Sequence, residues 1–239
     1  MRHSQLWLRR VKRKPTAVCG LVSSARRYSL ARGGAVAPCY APAMSASRRN
    51  ATYDGVRNAP EHMVAEILEG ELFLTPRPSS PHANAATVLG GELNGAFHRP
   101  LGDPKGPGGW WILFEPELHF APDVVVPDLA GWRRDRVPVL PNTAAFTTPP
   151  DWVCEVVAPE TAARDRGRKL RVYAREGIPH LWMVEPLHRT LEVYQLEPGH
   201  WVVASAHGGD DPVRAVPFDA LELEMARWWL PTGTAVVAR

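Results

Sequence analysis

The run Trp152-Val153-Cys154-Glu155-Val156-Val157 constrains the fold of this chain more than any other segment. It is a near-continuous apolar stretch closed by prolines at 150 and 159, the pattern of a strand covered on both faces. Side chains alternate along a strand, so Val153, Glu155 and Val157 share one face and Trp152, Cys154 and Val156 the other. A glutamate between two valines sits where ionisation is penalised unless a cation or hydrogen-bond donors balance it.

The segments around this strand read as an α/β fold. Pro60 to Val64 has the look of a short helix start. Ala65–Leu68 and Glu71–Leu74 flank Glu69-Gly70 as a hairpin. Ser80 to His98 carries apolar residues at Ala85, Val88, Leu89, Leu93 and Phe97, near helical spacing, with Ser80 as N-cap and Pro81 in the first turn. Three short strands follow at 110–114, 117–120 and 122–126, then a proline-rich loop over 133–150 with a basic cluster at Arg133, Arg134 and Arg136. Pro159-Glu160-Thr161 opens a helix reaching about Glu176, stopped by Gly177 and Pro179. Strands at 180–184, 190–196 and 201–206 and a short closing strand and helix over 213–230 complete a mixed central sheet flanked by helices.

The charge of +3 hides a division of the chain. Residues 1–50 hold eleven Lys/Arg and no acid; removing these from the total of 28 leaves 17 basic residues against 25 acidic ones, a balance of −8. We therefore read residues 1–50 as a basic tail and residues 51–239 as one acidic globular domain. The tail suits an organelle transit peptide, a nucleic-acid-binding arm or an extension upstream of a start at Met44. The three cysteines show no metal-binding spacing, and Cys154 reads as a small buried hydrophobe. No run approaches eighteen apolar residues, so a membrane span is not expected; the cysteine usage points to the cytoplasm.

Two acids in apolar strands precede a lysine on the next helix. Pro122-Asp123 opens the Val124-Val125-Val126 run, and Glu155 lies 32 residues later. This pair suits Mg²⁺, with Mn²⁺ as a substitute, because Mg²⁺ accepts one or two carboxylates and keeps its waters. Asp165, Lys169 and Tyr173 follow at four-residue intervals on one helix stripe. Asp165 and Lys169 also make an ordinary i, i+4 surface pair. In the functional reading, Lys169 points over the sheet and orients or deprotonates the attacking water. Glu71 or Glu69 on the hairpin would add a carboxylate, and His82 could face the same cleft. The arginines at 164, 166, 168, 171 and 175 read by default as a solvated face, but beside an acidic metal site they are also where a phosphate backbone would lie.

These motifs, together with Ala65 to Leu72 and Gly177-Ile178-Pro179-His180-Leu181-Trp182-Met183-Val184, resemble the Uma2 family. Its members are prokaryotic proteins assigned as endonucleases with the PD-(D/E)XK restriction-endonuclease-like fold. The resemblance spans roughly residues 60–225. It implies a metal-dependent nuclease acting on DNA, with metal ligands at Asp123 and Glu155, the lysine displaced onto the helix at Lys169, and the early glutamate at Glu71. It also suggests a homodimer, as nucleases that cut two strands often are. The family's Ser-Pro-Ser-Thr turn here reads Ala158-Pro159-Glu160-Thr161. Two other readings stay open: a nuclease fold kept only for nucleic-acid or protein binding, and a structural protein in which the acids and lysine form a buried ion network.

Overall fold

The computed structural model describes residues 50–231; residues 1–49 of the basic tail, with its two cysteines, lie outside them. The fold is mixed α/β, but its strands divide between two sheets where one was expected. The five-stranded sheet runs in the order β2 (Glu71–Pro76), β1 (Met63–Leu68), β5 (Asp123–Val125), β4 (Glu117–Phe120), β7 (Ala145–Phe146). The six-stranded sheet runs β11 (His200–Gly208), β10 (Thr190–Glu197), β9 (His180–Glu185), β8 (Trp152–Val156), β6 (Leu129–Arg133), β3 (Trp110–Phe114).

Strand β8 lies inside the larger sheet, antiparallel to β6 and parallel to β9. All five of its residues are buried, which is why the segment carries no alternation of polarity. One face, with Trp152, Cys154 and Val156, packs into a core with Ala85, Leu89 and Leu93 of helix α2 (Ser80–Phe97), Trp182 and Phe218. The other face, with Val153, joins a core with Val172, Tyr173, Leu181 and Met183. The parallel β8–β9 pair requires a crossover, and the segment Ala162–Arg175 supplies it. This crossover is not one regular helix. A short α3 (Ala162–Arg164) passes into a π-wound turn at Asp165–Lys169 and then α4 (Leu170–Arg175). Such π turns recur where a helix must aim side chains at a functional site.

The hairpin forms as expected, with Glu69 and Gly70 both at positive φ, 53° and 77°, as a tight two-residue turn demands. Two local expectations are corrected. Residues Pro60–Val64 do not start a helix: α1 (Tyr53–Arg57) lies earlier, and Met63 already opens β1. The proline-rich loop over 133–150 contains β7, paired in parallel with β4. Strand β6 also escapes the sequence pattern, because Gly131 breaks an otherwise short run. In the structure, side-chain atoms of Trp110, Ile112 and Trp152 lie 3.2–3.3 Å from where a Cβ at Gly131 would be, so large neighbours fill its place.

Candidate functional site

Glu155 emerges from β8 toward the crossover helix, 2 % exposed. Its carboxylate accepts hydrogen bonds from Lys169 Nζ at 3.0 and 3.1 Å and from the Tyr173 hydroxyl. Lys169, equally buried, also reaches Glu66 Oε1 at 2.9 Å, the Val126 carbonyl at 3.3 Å and Asp165 Oδ1 at 3.9 Å. Glu66 comes from β1 and further accepts the Val126 N–H at 2.9 Å. Asp128 stands just before β6; its Oδ2 accepts the Val156 N–H at 2.7 Å and its Oδ1 meets His82 Nε2 at 2.6 Å. Glu66, Glu155 and Asp165 thus converge from β1, β8 and the π turn around one lysine, and Asp128, at the entry to β6, sits beside the end of β8.

Of the residues singled out by sequence, the structure gathers Glu155, Lys169, Asp165, Tyr173 and His82. It does not bring Asp123 or Glu71 to them. Asp123 is buried, but its Oδ1 accepts the Glu69 N–H at 2.6 Å in the hairpin turn and its Oδ2 pairs with Arg175 at 2.7 Å. Arg175 also donates to the Phe120 carbonyl, so Asp123 fastens the hairpin, β5 and the end of α4 together. Glu71 pairs with Arg168 at 2.8 Å. Asp128 and Glu66 occupy the places that the sequence pattern offered to Asp123 and Glu71. One signal for Asp128 was present: Val126-Pro127-Asp128 is a second Pro-Asp pair, at the far end of the same valine run.

Because Asp123 serves as a fastener, Asp123→Ala is expected to act on stability. It strands the Glu69 N–H, while the half-exposed Arg175 can turn to water. The expected loss is about 2–3 kcal/mol, with Mg²⁺ affinity per folded molecule nearly unchanged. Chemical denaturation and calorimetry check it; loss of metal binding at full stability would return Asp123 to the site.

Burial dominates the electrostatics. It raises the Glu155 carboxyl from 4.5 to about 8, although Lys169 opposes the shift, and it raises Asp165 as well. Burial alone would push the Lys169 ammonium down, but Glu155, Glu66 and Asp165 outweigh it and hold Lys169 above an ordinary lysine. The same acids thus favour the charged form of Lys169, the form that orients a water or offsets negative charge. His82 titrates upward: burial opposes protonation, but the hydrogen bond and charge of Asp128 outweigh it. The arginines expected along a phosphate backbone are not a row of free cations, since Arg168, Arg171 and Arg175 pair with Glu71, Glu69 and Asp123, and Arg166 with Glu192.

The donors at the site are carboxylate oxygens, the chemistry Mg²⁺ selects. Among the described residues no three His, Cys, Asp or Glu side chains form a ready-made metal cage. Mg²⁺ does not need one, because it binds through one or two carboxylates and retains waters. The four acids outnumber Lys169 and Arg164, and Asp165 Oδ1 is buried without a hydrogen-bond partner. Both features suit an added cation held by Asp128 and Glu155.

A family model named Uma2, described as "Putative restriction endonuclease", matches residues 55–226. The fold is shared with a solved structure from Anabaena variabilis, described as "a putative nuclease belonging to DUF820". The match has TM-score 0.60 and 20% identity, covering 74% of this chain and 97% of that one. Among curated proteins, none matches the chain. No helix among the described residues is long and apolar enough to cross a membrane.

Proposed function

Since the chain belongs to the Uma2 family, we propose that it is a divalent-metal-dependent endonuclease hydrolysing phosphodiester bonds of DNA. The observation that carries this reading is the buried convergence of Glu66, Glu155 and Asp165 on Lys169, with the partly buried Asp128 held at the end of β8 by the Val156 N–H. Three buried carboxylates with a fourth beside them exceed the positive charge of Lys169 and Arg164, an arrangement that opposes folding unless it serves a further cation. Asp128 and Glu155 would hold Mg²⁺. When bound, the ion supplies Lewis acidity and a water acidic enough to act near neutral pH.

The chain's own residues then have distinct tasks. The Tyr173 hydroxyl and Lys169 fix both oxygens of Glu155. His82 and the Val156 N–H fix Asp128 in the same way. Lys169, charged throughout, offsets negative charge building on the phosphate oxygens in the transition state. Glu66 holds Lys169 in place from the opposite side. DNA as substrate is what the family's description suggests, and residues 51–239 would form the single nuclease domain.

With the full chain and supercoiled plasmid, nicking or linearisation is expected in Mg²⁺ or Mn²⁺ and none in excess EDTA. Absence of cleavage on both double- and single-stranded DNA with either metal would overturn the reading.

A further inference from the structure

Arg164 differs from every other arginine of the crossover segment. Arg166, Arg168, Arg171 and Arg175 each have a carboxylate oxygen within 2.8 Å of a guanidinium nitrogen. The closest carboxylates to Arg164 are Glu66 Oε2 and Asp165 Oδ1, both at 3.7 Å, beyond hydrogen-bond reach. Nη1 donates to Thr75 Oγ1 at 2.9 Å, and the Phe73 ring lies 5.6 Å from the guanidinium carbon. Nε is buried and has no hydrogen-bond partner among the described residues. The side chain keeps 15 % of its surface open to solvent.

A guanidinium so placed is anchored at one end, sits beside the site acids and keeps donors in reserve. Glu66 and Asp165 both neighbour Lys169, which in turn holds Glu155, so Arg164 borders the metal ligands without being one. The fork of a guanidinium matches two oxygens of a phosphate, which an ammonium cannot do. We propose that Arg164 is the residue that binds the substrate phosphate at this site. The part of the guanidinium open to solvent meets the phosphate, while the buried Nε stays turned toward Asp165 and Lys169 acts on the phosphate through its charge from behind the acids. This proposal rests on the nuclease reading for its place in the reaction, though contact with phosphate can be measured without cleavage.

The test compares the full-length chain with Arg164→Gln and Arg164→Lys, using a 20-base-pair DNA duplex as probe. Duplex affinity is measured across a salt series, Mg²⁺ affinity by calorimetry, and folding by thermal denaturation. For Arg164→Gln the duplex affinity should fall about tenfold or more, and the log–log salt slope should fall by about one. Mg²⁺ affinity should stay within a few-fold. The basic tail contributes equally to all three proteins, so the differences isolate Arg164. Arg164→Lys keeps the charge and should retain the slope while losing several-fold in affinity, because the fork is gone. Unchanged affinity and slope in a folded Arg164→Gln would overturn the proposal. If that variant does not fold, wild-type affinity in Arg164→Lys would overturn it instead. A wild-type chain that binds the duplex but never cleaves it would count against the nuclease reading alone.

Discussion

Glu155→Gln is expected to eliminate Mg²⁺-dependent cleavage, lowering kcat by on the order of 10³-fold or more, and to leave the fold intact. The amide has the shape of the carboxylate, and its oxygen still accepts from Tyr173 and Lys169. Lys169 keeps Glu66 and Asp165 as counter-charges, so no buried ammonium is stranded. What disappears is the ability to ionise: a bound cation would draw the proton off Glu155, whereas an amide cannot become an anion. Calorimetry should therefore show Mg²⁺ binding lost or greatly weakened, with the thermal midpoint moved by only a few degrees. Cleavage at the wild-type rate would remove Glu155 from the site.

Lys169→Met, by contrast, is expected to cost stability as well as activity. Methionine fills the volume of the lysine stem but leaves Glu66, Glu155 and Asp165 facing one another without their shared cation. Stranding a buried charge costs about 3–5 kcal/mol, and here the cost depends on pH. Burial already raises Glu155 to about 8 in the folded protein, so between its ordinary value of 4.5 and 8 the folded state holds a proton that the unfolded state has released. Glu155 therefore supports folding fully below about pH 4.5, and that support is lost as pH rises through 8. Removing Lys169 raises the carboxyls further. The variant should be close to wild type near pH 5 and progressively weaker toward pH 8.5. Urea denaturation at the two pH values measures this. A pH-independent loss would mean that Lys169 acts by packing alone.

The expected cost also separates the readings left open by the sequence. A purely structural ion network predicts the stability loss in Lys169→Met and nothing for metal binding in Glu155→Gln. A nuclease site predicts both.

The hairpin turn, helix α2 and the all-buried strand β8 were legible because their signals are local: Glu69-Gly70 at the turn, apolar spacing from Ala85 to Phe97, and an uninterrupted apolar run. Glu155, Lys169, Asp165 and Tyr173 were legible for the same reason, since a strand and the helix that follows it fix their relation within twenty residues. Helix α2 showed that a boundary can still move by one residue, with Ser79 in the N-cap position and Ser80 already inside the helix. The arginines of the crossover were visible as a basic stretch, but their neutralisation by Glu69, Glu71 and Asp123 was not, because those partners lie 52 to 102 residues away.

The sequence by itself determined the α/β class, the strand that carries Glu155 and the helical segment that carries Lys169. Only the tertiary structure decided which other acids join them. Glu66 and Glu71 lie on the same side of the hairpin, since Glu66 pairs with Phe73 and Glu71 with Leu68. Alternation therefore cannot tell them apart; their distance along the strands does, placing Glu66 against Lys169 and Glu71 against Arg168. Asp123 and Asp128 bracket one valine run, but the chain leaves the five-stranded sheet after Val125 and enters the six-stranded sheet at Leu129. That crossing carries Asp128 to the edge of β8 and leaves Asp123 behind as a fastener. Which sheet a strand joins depends on contacts with residues far along the chain, and no local pattern of side chains encodes it.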